Sequence, residues 1–248
     1  MAKSRIDDLL IERGLTADRR TALSLLMSGS VLVNGQKIDK AGALVLRDSE
    51  IRLTDRHQQY VSRGGLKLEA ALEHFSVSVK GAVCLDLGAS TGGFTDCLLQ
   101  YGAKRVYSVD VGKGQLDWKL QQNLRVIVRD GCNVRYLSPG DFDEPLDLVT
   151  GDLSFISLRL VLPALKQLRV PQLLLLVKPQ FEAERDEVEP GGLIRDEEKR
   201  LEIVQRVRKS AEELGFICLG MTLSPIPGQK GNREYFLMLS AEKPKARA

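Results

Sequence analysis

The sequence predicts an α/β fold in which a mostly parallel sheet follows a small α+β module. Apolar segments of strand length alternate with helical patterns, which is typical of parallel sheets with right-handed crossovers. These segments span about residues 82–87, 105–110, 124–128, 146–150 and 172–178. Two further apolar segments, "FICLGMTL" and "EYFLMLS", have only a loop between them. This pair predicts an antiparallel hairpin at one edge, so the last strand is antiparallel.

Length and composition leave room for a large domain and a small one. The chain has 248 residues, of which 43% are hydrophobic and 28% charged. No apolar run is long enough to cross a bilayer and no secretory leader is present, so we expect a cytoplasmic protein without membrane contact. The four cysteines form no C-x-x-C pair, which favours small buried thiols over a metal site or a disulfide. With two histidines, His57 and His74, a zinc or histidine-centred site is disfavoured.

The first segment of the chain, up to about residue 60, combines two short helices with a hairpin. Apolar residues in "RIDDLLIERG" predict a helix that stops at Gly14, and Thr16 is the predicted N-cap of the second helix. Asn34-Gly35 between apolar residues is a strong hairpin signal, because both positions accept positive φ. Basic residues surround this module, among them Arg5, Arg19, Arg20, Lys37 and Lys40. A solvated small domain and a nucleic-acid-binding domain both fit this pattern.

Three motifs make this module similar to the small RNA-binding domain named after ribosomal protein S-four. They are "R-x-D-x-x-L" from Arg5, "GL-x-x-x-R-x-x-A" from Gly14, and "G-x-V-x-VNG" ending at Gly35. The usual proline of the family's "K-P-G" is Ala41 here. The resemblance implies that Arg5, Arg19 and Arg20 touch phosphates of structured RNA, with Lys37 and Lys40 in the same basic set.

A polar stretch, "TDRHQQYVSRGG", is the predicted linker between two domains. We expect an RNA-binding domain over residues 1–60, a linker reaching to about residue 64, and a second domain over residues 65–248. Within the second domain, "DEEKRLEIVQRVRKSAEELG" predicts a long helix that Asp196 caps and Gly215 stops.

A glycine-rich turn follows the first strand of the second domain, in "CLDLGASTGGFTD". Gly88 and Gly93 have the spacing of a phosphate loop, but Phe94 occupies the position where such a loop needs lysine. The dinucleotide pattern G-x-G-x-x-G fits weakly, because Ser90 replaces the middle glycine. S-adenosylmethionine carries no phosphate, so a methyltransferase turn tolerates this replacement. The turn therefore favours S-adenosylmethionine, although glycines at such a turn can also serve packing alone.

The predicted cofactor site gathers residues from the turn and from the ends of three strands. Asp86 would accept from the ammonium group of the cofactor, Asp110 would bind the ribose hydroxyls, and Asp130 would lie beside the adenine. The full predicted set is Asp86, Gly88, Ser90, Thr91, Gly92, Gly93, Phe94, Asp110 and Asp130.

Two charged residues follow later strands at the same predicted edge. Asp152 comes after the fourth strand of the second domain and Lys178 after the fifth, in "LLLLVKPQFE". Ligands of open α/β sheets gather at the carboxyl ends of the strands. Lys178 is therefore either a pocket residue or a surface lysine that lays its aliphatic chain along apolar neighbours.

Lys67 in "SRGGLKL", Asp152, Lys178 and Glu234 in "GNREYF" match in order the K-D-K-E tetrad of FtsJ-like ribose 2'-O-methyltransferases. Together with the S-four-like motifs and "DLGASTGGFTD", they make nearly the whole chain resemble the TlyA family. The resemblance implies a Rossmann-like fold, S-adenosylmethionine as cofactor, and ribosomal RNA (cytidine-2'-O)-methyltransferase activity on ribosomal RNA or ribosomal subunits. The chain departs from the family after Arg195-Asp196, where we expect proline and histidine.

In this interpretation Lys178 is a proton acceptor or a charge that steadies the developing alkoxide. Asp152 and Glu234 orient it, and Lys67 positions the substrate. Three alternatives remain: a nicotinamide dehydrogenase, a membrane-active hemolysin as some family members are labelled, and a non-catalytic RNA-binding or assembly protein. The sequence leaves open the target nucleotide, the choice of ribosomal RNA, the protonation state of Lys178 and the oligomeric state.

Overall fold

The computed structural model describes residues 3–16, 18–27, 29–40, 42–53 and 59–241. Its internal contacts divide the chain into two compact units, with the division between Gln59 and Tyr60. The predicted linker residues 54–58 and the Ala41 position lie outside the described part of the chain.

Two helices and five short strands lie in the described residues of the first unit. They are β1 Lys3–Arg5, α1 Ile6–Glu12, α2 Arg19–Met27, β2 Val31–Val33, β3 Gln36–Lys37, β4 Leu44–Leu46 and β5 Ile51–Leu53. Strands β1 and β4 form an antiparallel pair, and β2 lies between β3 and β5 in a second antiparallel sheet. Apolar residues of both helices and of β2 and β4 form one buried cluster between these elements.

Two local predictions in this unit have different outcomes. The hairpin at Asn34-Gly35 is confirmed, because both residues have positive φ (50° and 78°) between β2 and β3. The predicted cap at Thr16 is wrong. Helix α2 begins at Arg19, and the carboxylate of Asp18 accepts a hydrogen bond from the backbone N–H of Thr21 at 2.7 Å. A carboxylate three residues before a free N–H has the spacing of an N-cap, so Asp18 takes this role.

The second unit is an α/β domain built on a seven-stranded sheet. Its strands are β6 Val83–Leu87, β7 Arg105–Asp110, β8 Val126–Asp130, β9 Leu148–Gly151, β10 Gln172–Val177, β11 Ile217–Leu223 and β12 Tyr235–Ser240. Its helices are α3 Gly64–His74, α4 Gly93–Gln100, α5 Trp118–Gln121, α6 Leu162–Gln167, α7 Pro179–Glu182 and α8 Glu197–Glu213. Short 3-10 turns occupy several of the connections.

The strand order is β11-β12-β10-β9-β6-β7-β8. Neighbours from β10 to β8 pair in parallel, whereas β12 is antiparallel to both β10 and β11. The predicted parallel sheet with an antiparallel last strand is therefore confirmed. Strand β12, the last one in the described residues, lies inside the sheet between β10 and β11, and β11 is the edge strand.

Helices cover both faces of this sheet. Alternating β6 residues Leu85 and Leu87 pack with α6 and α8 in one apolar cluster, and Cys84 packs with α3 and α4 in the other. Tyr60 is 2% exposed and belongs to the second cluster. The second unit thus begins before residue 65, at a position predicted as linker.

Helix α8 follows the prediction at both ends. The Asp196 carboxylate accepts from the backbone N–H of Lys199, and Gly215 after the helix has φ +80°. All four cysteines are free thiols, and Cys84 and Cys97 are buried. Among the residues that the structure describes, we find no group of three metal-ligating side chains and no helix long and apolar enough to span a bilayer.

Candidate active site

The strand register brings the ends of β9, β10 and β12 to one edge of the sheet. Gly151 pairs with Leu175 and with Leu87, so Asp152 follows β9 at the carboxyl edge beside the glycine turn. Val177 pairs with Tyr235 of the antiparallel strand β12. Lys178 after β10 and Glu234 before β12 are therefore neighbours at the same edge.

Lys178 and Asp152 form an ion pair at this edge. Nζ of Lys178 lies 2.6 Å from Oδ1 of Asp152 and donates a hydrogen bond to Oγ of Ser154 at 2.8 Å. The ring centroid of Phe181 lies 5.8 Å from the same Nζ. Lys178 is 9% exposed, so it is not a snorkelling surface lysine.

Lys67 and Glu234 form the second ion pair. Nζ of Lys67, on α3, lies 2.5 Å from Oε2 of Glu234, and the two residues are 4% and 2% exposed. The loop before β12 encloses this carboxylate closely, since a Cβ added to Gly228 would lie 1.9 Å from Oε1 of Glu234. Two buried opposite charges satisfy each other here, which is the usual condition for burying either one.

The tetrad thus consists of two lysine–carboxylate pairs held by the ends of three sheet strands and by one helix. Asp152 is the most open of the four, with 23% of its side chain exposed, whereas both side chains of the other pair are at most 5% exposed. A substrate therefore reaches the Lys178–Asp152 pair more readily than the Lys67–Glu234 pair.

The glycines of the turn after β6 are required by backbone geometry and close packing. Gly88 has φ +75°, and a Cβ there would lie 3.0 Å from the backbone oxygen of Asp152. Gly92 has φ +98°, and a Cβ would lie 2.2 Å from Cδ1 of Leu120. At Gly93 a Cβ would lie 2.2 Å from Oγ of Ser62, where α4 starts against α3. These contacts fix the turn as a tight crossing between β6 and α4.

Asp110, at the end of β7, holds the glycine turn through backbone amides. Oδ2 accepts from the N–H of Ser90 at 2.9 Å, and Oδ1 accepts from the N–H of Gly112 at 2.7 Å. Ser90 itself has φ +49° and is exposed, as is Thr91. Each carboxylate oxygen keeps a second lone pair for a ligand hydroxyl.

Asp130 ends β8 directly beside Asp110 in the sheet register. Its Oδ2 accepts from the N–H of Gly114 at 2.6 Å, and the residue is exposed. The ends of β7 and β8 therefore present two neighbouring carboxylates beside the turn.

Asp86 is fully buried in β6. Its Oδ2 accepts from Oγ1 of Thr95 at 2.7 Å, and Thr95 in turn contacts Oγ of Ser108 at 2.7 Å. Burial raises the pKa of Asp86 to about 7, against the hydrogen bond from Thr95 that favours the charged form. Oδ1 has no hydrogen-bond partner among the described residues.

The side chain of Phe94 lies in the core. It is 3% exposed, and its ring stacks with that of Phe236 at 6.1 Å between centroids. The ring therefore does not line the open face of the turn. If Phe94 contacts the cofactor as predicted, it does so through its backbone N–H at the start of α4.

S-adenosylmethionine fits the residues at this turn. The buried and unpartnered Oδ1 of Asp86 matches a cationic or hydrogen-bonding group of the ligand. Ser90 and Thr91 are exposed at the turn, so a ligand can reach them there. Asp110 and Asp130 supply acceptors for ligand hydroxyls. The absence of a lysine after the turn agrees with a ligand that carries no phosphate.

Several residues near the Lys178 segment were not predicted as site residues. Ser154 holds Nζ of Lys178, and the carboxylate of Glu182 accepts from Oγ of Ser157 (2.5 Å) and from the N–H of Leu158 (2.7 Å). Glu182 is 3% exposed, and burial raises its pKa. The motifs "DLSFISL" and "LVKPQFE" contain these residues, but no spacing rule connects two segments so far apart in sequence.

An open cavity of about 580 Å³ lies beside the Lys178 segment. Phe155 is 87% exposed with φ +62°, and its ring lies 5.2 Å from that of Phe181. Gln180, also in the lining, has a buried Oε1 with no hydrogen-bond partner among the described residues. Arg135 and Ser157 are the other polar residues of this lining.

In the first unit, Asp7 holds two of the predicted RNA-binding residues. Its Oδ2 lies 2.7 Å from Nη2 of Arg5 and 3.1 Å from Nη2 of Arg19. The hydrogen bond from Arg5 is the main cause that lowers the pKa of Asp7 to about 2. About half of each arginine side chain stays exposed, and Lys37 and Lys40 are exposed. Arg20 lies in α2, and its side chain is outside the described part.

This chain is similar to a known protein family, to named relatives and to solved structures. The FtsJ-like methyltransferase family matches residues 60–241. The 16S/23S rRNA (cytidine-2'-O)-methyltransferase TlyA of Mycobacterium tuberculosis is 43% identical over 98% of this chain and 92% of its own length. YqxC of Bacillus subtilis, by its name a candidate rRNA methyltransferase, is 48% identical over 96% of this chain and 85% of its own.

A solved structure from Streptococcus thermophilus, described as a candidate hemolysin, superposes with a TM-score of 0.77 at 43% identity. The superposition covers 98% of this chain and 90% of the solved chain. The methyl donor of the matching family is S-adenosylmethionine, the cofactor that the glycine turn predicted. The chain belongs to the FtsJ-like methyltransferase family.

Proposed function

We propose that this protein transfers a methyl group from S-adenosylmethionine to the ribose 2'-oxygen of a cytidine in ribosomal RNA, free or in a ribosomal subunit, in the cytoplasm. The observation that carries this proposal is the presence of two ion pairs, Lys178–Asp152 and Lys67–Glu234, at the sheet edge beside the glycine turn. The name of the TlyA relative supports ribosomal RNA and cytidine as the substrate. The proposed RNA-binding role of residues 1–60 supports an RNA substrate independently.

Bound S-adenosylmethionine would supply an activated methyl group that transfers in line to an oxygen. Asp86, the turn from Gly88 to Gly93, Asp110 and Asp130 would hold it. Asp110 already fixes the backbone of Ser90 and Gly112, so the turn is preorganised before binding. The chain therefore spends little binding energy on ordering this turn.

Lys178 is the group that acts on the ribose hydroxyl. Asp152 and Ser154 hold its Nζ from two sides, at 2.6 and 2.8 Å, and leave one N–H direction for the substrate oxygen. In the charged form Lys178 donates to that oxygen and stabilises its negative charge, while the hydroxyl proton passes to solvent water or to the partly exposed Asp152 carboxylate. In the neutral form it accepts the proton itself, and the adjacent Asp152 carboxylate then stabilises the resulting ammonium.

The Lys67–Glu234 pair supports this arrangement from behind. Glu234 begins β12 next to the end of β10, and its pairing with Lys67 ties α3 to the sheet at the point where Lys178 leaves it. The proposed role of this pair is to hold the sheet edge that faces the substrate. Both side chains are nearly buried, so their direct contact with the substrate is small.

The cavity beside Lys178 suits a nucleobase. Phe155 and Phe181 provide aromatic faces for stacking, which is the usual way in which proteins hold an unstacked base. The Gln180 amide, which carries both an acceptor and a donor, belongs to the same lining. The cavity thus supports a nucleobase, and the choice of cytidine rests on the name of the TlyA relative.

The proposal is tested by mapping ribose methylation. Protein-free ribosomal RNA and isolated ribosomal subunits are incubated with the full chain and isotopically labelled S-adenosylmethionine, and 2'-O-methylated nucleotides are identified by mass spectrometry. We expect label on the ribose of one or a few cytidines, and none with Asp152→Ala. Label on a base, or none on any ribosomal RNA or subunit, contradicts the proposal. Lysis of erythrocytes by Asp152→Ala and wild type alike, without ribose label, would favour the hemolysin alternative.

A further inference from the structure

A second cavity, of about 390 Å³, lies at the same sheet edge between two loops. One loop precedes α8 and contains Gly191 to Arg195, and the other precedes β12 and contains Lys230 to Arg233. No residue of this cavity belongs to the proposed tetrad or to the cofactor turn. We call it the basic cavity.

Asn232 joins the two walls of the basic cavity. It is 6% exposed, its Nδ2 donates to the backbone oxygen of Gly192 at 2.8 Å, and its Oδ1 accepts from the N–H of Ile194. Nζ of Lys230 donates to the backbone oxygen of Gly191 at 2.8 Å. The cavity is therefore a fixed feature of the fold, because side-chain hydrogen bonds from Asn232 and Lys230 hold both loops together.

The side chains that line the basic cavity carry positive charge. They include Arg195, Arg200, Lys230 and Arg233, and the lining contains no carboxylate. Nε of Arg200 is buried without a hydrogen-bond partner among the described residues, although its Nη1 donates to the backbone oxygens of Ile194 and Arg195. Glu189 pairs with Arg195 from outside the lining. An unsatisfied buried donor among four cations is a site for an anion.

The position of Arg233 indicates which anion. Arg233 is exposed and directly precedes Glu234, whose carboxylate is bound to Lys67 in the proposed active site. Arg233 therefore places a cation in the loop that also carries Glu234 of the tetrad. An RNA strand carries a phosphate on each side of every ribose, so a backbone phosphate is the anion that the proposed substrate brings to this loop.

We infer that the basic cavity binds a backbone phosphate of the RNA strand, next to the nucleotide that the tetrad methylates. The choice of RNA as the ligand rests on the proposed function. This site would fix the register of the strand, since phosphate contacts position a nucleic acid while base contacts specify its sequence.

The test uses the full chain with Arg233→Gln and Lys230→Gln, and protein-free ribosomal RNA as the probe. Binding is measured across a series of salt concentrations. Each variant should bind about threefold to tenfold more weakly at physiological salt, and the slope of log affinity against log salt should fall by about one. Arg233→Lys should keep the slope, because it keeps the charge.

Arg169→Gln is the matched control. Arg169 is an exposed arginine of the same unit, but it precedes β10 and so lies at the opposite edge of the sheet. Its RNA affinity and salt slope should equal those of the wild type. Affinity for S-adenosylmethionine, measured by calorimetry, should be unchanged in all variants, which excludes misfolding as the cause.

Wild-type affinity and slope in both Arg233→Gln and Lys230→Gln would overturn the inference, even if the wild type methylates ribose. Reduced slopes in these variants would support it even if no ribose label is found. The failure of the proposed function is therefore distinguishable from the failure of the phosphate site.

Discussion

Lys178 places its Nζ 2.6 Å from Oδ1 of Asp152, and both residues follow neighbouring parallel strands at the carboxyl edge of the sheet. The pair is only partly shielded from solvent, whereas Lys67 and Glu234 are nearly fully enclosed. The two halves of the tetrad should therefore respond differently to substitution, one mainly in catalysis and the other mainly in stability.

Lys178→Ala should abolish methyl transfer while RNA and S-adenosylmethionine still bind, because Lys178 acts on the reacting hydroxyl. Lys178→Arg separates the two roles of the amine, since arginine keeps its charge and does not lose its proton in proteins. Substantial activity of Lys178→Arg in single-turnover assays indicates charge stabilisation. Near-normal rates in Lys178→Ala would remove Lys178 from the chemistry.

Glu234→Gln should destabilise the protein by about 3–5 kcal/mol, because it leaves the Lys67 ammonium buried without a countercharge. Asp152→Asn should cost clearly less, since water reaches 23% of the Asp152 side chain. Denaturant unfolding of the two variants measures the difference. Equal losses of unfolding free energy would mean that the buried pair contributes no more than the open one.

Asp110→Ala should weaken binding of S-adenosylmethionine by about tenfold or more, because it removes both the proposed hydroxyl acceptor and the hydrogen bonds that fix Ser90 and Gly112. Calorimetry with the cofactor provides the measurement, with NAD as the competing ligand. The prediction fails if the variant keeps wild-type affinity, or if the wild type prefers NAD.

Asp86→Asn should change how stability depends on pH. The pKa of Asp86 is raised from 3.8 to about 7 by burial, so its protonated form is favoured in the folded state. Protonated Asp86 therefore contributes to the unfolding free energy fully below pH 3.8. This contribution, on the order of a few kcal/mol, is lost as pH rises through about 7. The Asn variant stays uncharged at every pH. Its unfolding free energy relative to wild type should therefore rise between pH 4 and pH 8.

Arg5→Gln and Arg19→Gln should weaken binding of ribosomal RNA and flatten its salt dependence, because about half of each side chain is exposed for a phosphate. Arg52→Gln, an exposed arginine of the same unit paired with Glu50, is the control and should bind normally. Cofactor affinity should stay constant in all three. If neither variant differs from the control, the pairing with Asp7 is the main role of these arginines.

Periodicity and local signals predicted the second unit's sheet well. Its central strands are largely apolar and buried on both faces, whereas the edge strands β8 and β11 are only partly buried. The turn residues Asn34 and Gly35 of the first unit, and Gly215 of the second, act through their own backbone conformation. Asp18 was missed as a cap because two side chains near the helix start, those of Thr16 and Asp18, are both good capping groups. Only the position of the first helical turn decides between them.

Residue pairing across the sheet was beyond sequence reasoning. The tetrad motif names four residues, but nothing in their order predicts that Lys67 pairs with Glu234 and Lys178 with Asp152. Burial of Asp86 and Phe94 depends on which helices cover β6 and on the ring of Phe236, far along the chain. Ser154 and Glu182 were missed because their partners come from separate segments.

The insertion of β12 between β10 and β11 sets the order in which a nascent chain can complete this protein. Until residues 235–240 emerge from the ribosome, β11 has no strand to pair with and β10 has an open edge. Glu234 immediately precedes this segment, so Lys67 stays without its countercharge until residue 234 has also emerged. A chain stopped before residue 234 would lack both the sheet's closing strand and one half of the buried ion pair, and such a fragment should aggregate rather than act as a partial enzyme.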